Sequence, residues 1–148
     1  MLYGILYVVF GILLMEFAGW LIHKYIMHGI LWNIHKTHHL PSKRAFELND
    51  IFSLFFGSIS ILLMFLGYQE LDYRFWIGMG ISIYGFGYFF VHDILIHRRI
   101  KWLKRPKKGL FNGILKAHQA HHAYNRKDGS EAFGLLIVPI KYFKDGKK

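Results

Sequence analysis

The chain has 148 residues, about one domain by length, and contains no cysteine; disulfides, zinc–thiolate sites, iron–sulfur clusters and cysteine-ligated haem are therefore excluded, and any metal must be held by nitrogen or oxygen. It is 53% hydrophobic and 18% aromatic, yet its formal charge is +10. That balance is foreign to an ordinary soluble domain and natural for membrane spans with basic flanks.

The first predicted element is an apolar helix over residues 2–22, whose only charge is Glu16. It lacks a basic leader and a small-residue cleavage site, so it reads as a retained span and not as a removable signal. Two histidine words follow at once: HKYIMH, with His23 and His28, and HKTHH, with His35, His38 and His39. A second span is expected over about 51–68, with no charge in it. A short loop, 69–74, leads to a third apolar stretch that begins at Phe75 and runs on to about 96. This stretch carries Gly78, Gly80, Gly85 and Gly87, and small residues let membrane helices approach closely. About 20 residues at 1.5 Å rise cross a hydrocarbon core of roughly 30 Å, so three spans are predicted. HDILIH, with His92 and His97, closes the third. Then come the basic run RRIKWLKRPKK, a helix over 110–124 carrying His118, His121 and His122 in the word HQAHH, and a short apolar piece, GLLIVP. The tail from Lys141 reads as frayed. The fold class expected is all-α: one membrane domain over 1–148, with spans of about 2–22, 51–68 and 75–96 and a cytosolic cap formed by 28–50 and 97–140.

Of the 19 lysines and arginines, only Arg74 lies in the loop between the second and third spans. The positive-inside rule then places the N-terminus outside and both histidine-rich segments at the cytoplasmic face. The basic run after the third span can also hold anionic lipid head groups.

The ten histidines all fall within these words, and the order H-x4-H then H-x2-H-H occurs twice. On a helix, residues at i, i+3 and i+4 form one patch. The H-x4-H pair is separated by about 140° of rotation and about 7.5 Å of rise, too far for easy chelation of one ion from a regular helix. Such a pair can serve two neighbouring ions, or one ion if the helix end is distorted. Ten imidazoles exceed the needs of one first-row ion and suffice for two, and neutral imidazole suits iron, zinc and copper. No E-x-x-H bundle motif or H-E-x-x-H protease motif is present. Glu16, seven residues before His23, and Asp93, beside His92, are candidates to accept an imidazole N–H, Asp93 having Arg98 or Arg99 as its other possible partner. Trp20, Trp32, Phe89, Phe90 and Phe133 are candidates for an apolar lining. No motif implies a nucleic-acid partner.

The stretches HKYIMHGILWNIHKTHH, FFVHDILIHRR and KAHQAHHAYNRKDGSEAFGLLIVP resemble the membrane fatty-acid hydroxylase superfamily, and most closely its bacterial β-carotene hydroxylase branch, over residues 23–139. The resemblance implies that His23, His28, His35, His38, His39, His92, His97, His118, His121 and His122 bind two iron ions, with zinc a possible substitute in a purified sample and O2 as co-substrate. It implies hydroxylation at C3 of a carotenoid β-ring, a ferredoxin-type electron donor with its reductase, and a place in the bacterial inner membrane. A sterol or acyl substrate stays open as an alternative, as does a non-catalytic metal-binding protein. A ligand set at one membrane end suits an enzyme better than a transporter, whose site lies near mid-membrane. A lipid-dissolved substrate is expected to enter sideways, between the third span and the first.

Overall fold

In hydrocarbon every backbone polar group must find its partner within the chain, so apolar stretches of this length fold as helices. A computed structural model describes residues 2–40 and 46–144. Among them are α1 (Leu2–Leu21), α2 (Trp32–His39), α3 (Asp50–Gly67), α4 (Tyr73–Tyr88) and α5 (Gly109–His121), with no strand. Residues 41–45 of the expected cap and the end of the expected frayed tail, 145–148, lie outside the described residues.

Three helices are long and apolar enough to cross a membrane: Leu2–Ile30, Asp50–Gly67 and Tyr73–Ile96. The first runs past the expected end at 22 because α1 continues into a π-helical segment, Ile22–Ile30; α4 continues likewise through Phe89–Ile96. Leu6, Phe10, Leu13 and Phe17 on α1 and Leu54, Phe65 and Ile61 on α3 are exposed, the face such helices turn to lipid.

α4 lies between α1 and α3 and packs on both. Its glycines explain how. A Cβ at Gly80 would stand 2.3 Å from the Val8 carbonyl oxygen, and one at Gly11 would stand 2.6 Å from that of Ile77, so α1 and α4 meet backbone to backbone. On the other side, a Cβ at Gly78 would stand 2.8 Å from the Ser60 carbonyl oxygen. Ser60, fully buried, donates to the Gly78 carbonyl at 2.7 Å and shares a hydroxyl hydrogen bond with Ser82 at 2.6 Å. Gly85 and Gly87 have open space around them and take no part in packing. The expected sideways entry between the first and third spans therefore meets a closed seam, sealed at Gly11 and Gly80 and again where Tyr84 donates to Glu16 at 2.8 Å.

At the α3–α4 hairpin Asp72 caps α4, accepting from the Arg74 backbone at 2.8 Å and pairing with its guanidinium. At the opposite end, α5 packs against the second π-helical segment and against a 3-10 turn, Ile140–Phe143. The start of the expected tail is thus anchored. Phe143 fills the space left by Gly113, and Lys141 and Tyr142 both bond to Glu131. The apolar core joins these layers through Met15, Ile81, Tyr84, Val91, Ile114 and Leu135.

Candidate metal centre

The H-x4-H words sit where the two long helices widen. Within a π-helix the backbone bonds i→i+5, and here Leu31 donates to Ile26 and His97 to His92 across that span, each at 2.9 Å. Residues five apart then share a face. His23 and His28 fall in one cluster and His92 and His97 in another. Of the two options open to H-x4-H in the sequence, the structure takes the distorted helix end, with each pair serving one cluster.

The H-x2-H-H words do the opposite of what a single patch would do. His35 and His39 join the first cluster while His38 joins the second; His121 joins the first and His118 the second. The first cluster is thus His23, His28, His35, His39 and His121, and the second is His38, His92, His97 and His118. In each, one ring nitrogen per residue lies within 4.8 Å of all the others. His122 stands beside both. Its ring lies 4.5 Å from that of His118, 4.9 Å from those of His38 and His97, and 4.3 Å from that of His39, and its buried Nε2 meets no hydrogen-bond partner.

The outer nitrogens decide what the inner ones must be. In the first cluster Nδ1 donates from His23 to the Phe133 carbonyl at 2.8 Å, from His28 to the Lys127 carbonyl at 3.1 Å, from His121 to the Glu131 carbonyl at 3.0 Å and from His35 to Asn49 Oδ1 at 2.8 Å. A carbonyl oxygen only accepts, so each of these Nδ1 atoms carries the proton and each Nε2 presents a bare lone pair. Yet His23 and His35 face each other Nε2 to Nε2 at 3.0 Å, and His28 and His121 do so at 3.1 Å. In the second cluster His38 Nδ1 donates to Glu47 at 2.9 Å and His92 Nδ1 to Asp93 at 2.8 Å, and their Nε2 atoms are again 3.0 Å apart. Lone pairs at this distance with no proton between them repel; a cation shared between them turns repulsion into ligation. Imidazole binds first-row ions at about 2.0–2.2 Å, which puts neighbouring ligand atoms roughly 3 Å apart around an ion, as here. The residues fit two metal ions.

Burial keeps the imidazoles in the ligating form. It pushes His35 and His121 down to about 3, and His39 and His97 down to about 4, with neighbouring imidazoles adding to the effect at His35, His39 and His121 and Arg99 adding to it at His97.

Asp93, one of the two carboxylates singled out in the sequence, lies against His92; its backbone carbonyl accepts from Arg99, whose side chain reaches Glu47 at 3.0 Å, Asp50 at 2.9 Å and Asp93 at 3.7 Å. Glu16, the other, meets no imidazole: it accepts from Tyr84 and from the backbone of Leu136 and Ile137. Trp32 lies tilted against His28 and edge-on to His39, and Phe133 sets its ring edge-on to His23, His28 and His121, while Phe89 and Phe90 are half exposed. Arg99 was expected as a possible partner of Asp93, but its pairing with Glu47 and Asp50 was not, and Glu47 and Asn49 were not anticipated as partners of the site. Glu47 and Asn49 carried one signal, polar residues just ahead of an apolar span. The three backbone acceptors at 127, 131 and 133 carried none, since any residue has a carbonyl.

The fatty acid hydroxylase family model matches residues 8–141, nearly the whole chain. The chain belongs to that family. It is 45% identical over 125 residues to a β-carotene hydroxylase of Pantoea ananas, covering 84% of this chain and 71% of that one. It is 38% identical over 138 residues to one of Pseudescherichia vulneris (93% and 78% covered), and 37% identical over 135 residues to one of a Paracoccus strain (90% and 83% covered). No solved structure matches significantly.

Proposed function

We propose that this membrane protein is an O2-dependent di-iron hydroxylase acting on β-carotene, adding one hydroxyl at C3 of each β-ring to give β-cryptoxanthin and then zeaxanthin. The observation that carries the proposal is the pair of imidazole clusters whose bare lone pairs face one another at about 3 Å. The relatives' names supply the substrate class. C3 is an unactivated carbon, beyond acid–base chemistry. Two iron ions in the cage would supply the oxidising chemistry, one oxygen atom entering the product and the other leaving as water, with two electrons from a donor and two protons from solvent.

The chain's own residues do the rest. All ten histidines are assigned as ligands, five to each position when His122, beside three rings of the second cluster, completes that set. Lys127, Glu131 and Phe133 carbonyls and Asn49 fix the ring orientation at the first position; Glu47 and Asp93 fix it at the second. The buried, apolar surroundings exclude water. The whole chain acts as one membrane unit, with the cage at the cytoplasmic face of a bacterial inner membrane, where the basic residues lie. No flavin, haem or iron–sulfur motif occurs in the sequence, so electrons come from a ferredoxin-type protein and its reductase, an acidic partner for a chain of pI 9.8.

Expression in bacteria that accumulate β-carotene tests this reading. Cryptoxanthin and zeaxanthin are expected. Unchanged β-carotene with iron, O2 and reductant present, together with hydroxylation of a sterol or an acyl chain, overturns the substrate.

A further inference from the structure

Glu16 is 4% exposed, on a helix that is otherwise uncharged to Leu21, and it makes no contact with the cage by hydrogen bond. An ionisable residue inside a membrane helix is costly and persists where its partners give it work to do. Its partners here are specific. One carboxylate oxygen accepts from Tyr84 Oη at 2.8 Å, which ties α1 to α4. The other accepts two successive backbone N–H groups, Leu136 at 3.0 Å and Ile137 at 2.8 Å. The chain passes close over the carboxylate at Gly134, where a Cβ would stand 2.9 Å from Glu16 Oε1. Just upstream on the same strap, the carbonyls of Glu131 and Phe133 hold Nδ1 of His121 and His23, and the Phe133 ring packs on three imidazoles of the first cluster.

From this we infer that Glu16 is a positioning residue for the first metal position alone: it pins the strap of residues 131–138 to the helix that carries His23, and the pinned strap aims His23 and His121. The inference rests on the two-ion reading above. The second position takes the partners of His38 and His92 from Glu47 and Asp93, to which the strap makes no hydrogen bond among the described residues, so disturbing Glu16 empties one position and spares the other. The chemistry of the carboxylate oxygen matters more than its charge. Glutamine keeps an acceptor for the two N–H groups and can donate its amide to Tyr84, whereas aspartate keeps the charge but withdraws it by one methylene.

The test is metal per chain, by elemental analysis of detergent-purified, monodisperse protein supplied with iron or zinc. Wild type should carry two ions, and Glu16→Gln and Tyr84→Phe close to two. Glu16→Asp and Glu16→Ala should carry about one. Adding His121→Ala to Glu16→Asp should leave that one ion in place, because both changes strike the same position. Adding His38→Ala should remove it. Two ions in Glu16→Asp, loss of both ions or of the folded protein in Glu16→Asp, or Glu16→Gln as defective as Glu16→Asp overturns the inference. Wild type without ions overturns the two-ion reading instead.

Discussion

The two halves of the cage are built from the same repeated histidine words but supported in different ways. Around the first position the outer ring nitrogens of His23, His28 and His121 donate to backbone carbonyls of one irregular segment, 127–133, and His35 donates to a neutral amide. Around the second, His38 and His92 donate to the carboxylates of Glu47 and Asp93, and Arg99 ties both carboxylates and Asp50 together. A carbonyl fixes the tautomer and the ring angle. A carboxylate does that and also makes the imidazole a stronger base. On the two-ion proposal the second position is expected to be the more electron-rich and tighter site, supported by side chains near the ends of helices. The first depends on how well a loop is held down.

Removing a ligand should break either half and give the largest effect. His121→Ala is expected to empty the first position and His38→Ala the second. Each should abolish both hydroxylated pigments while the protein stays in the membrane, because the proposed reaction uses both ions. Pigment extracts and metal per chain check this. A single variant losing both ions would mean that the halves are not independent sites.

Substituting a supporting residue should sharpen the contrast. Asp93→Asn keeps an oxygen for His92 but removes the charge, and such outer partners are typically worth about 10–100-fold in metal affinity. The expected result is a loss in that range confined to the second position, read by competition with a chelator. Asn49→Ala removes a neutral acceptor from His35 at the first position and should cost less, on the order of tenfold. Equal losses would mean that the carboxylates contribute nothing beyond orientation.

Much of this was legible in the sequence. The three spans follow from apolar length, and the gathering of the histidines follows from their doubled words at the ends of the first and third spans. The assignment of residues to the two clusters was not legible, because it depends on two helix ends that open to i→i+5 bonding at 22–30 and 89–96, and nothing in their composition announces that. Nor was the crossing of His38 and His118 into the other cluster from their word-mates, which depends on how α2 and α5 face one another. The role of Glu16 was half legible. A buried carboxylate in a span announces a partner, but its partners are a tyrosine hydroxyl on α4 and backbone N–H groups 120 and 121 residues away.

The smallest expected difference between the halves is in their response to acid. His35, His39 and His121 of the first cluster and His97 of the second are all held far below their ordinary value of about 6.5, to about 3 or 4, and burial is the first cause at each. In the ion-free protein the folded state therefore keeps these rings neutral, while the unfolded chain takes up protons once the pH falls below about 6.5. Stability from these groups is fully present above about 6.5 and is lost as the pH falls from there through about 4 towards 3. The lifetime of chelator-stripped protein in detergent should be flat from pH 8 to 7 and shorten on the order of tenfold or more by pH 5, since several protons are taken up on unfolding. Because burial is the first cause, ion-free Asn49→Ala protein should follow the wild-type profile within about half a pH unit, even though its metal affinity differs. A displaced profile would show that the Asn49 amide, and not burial, governs the protonation of His35.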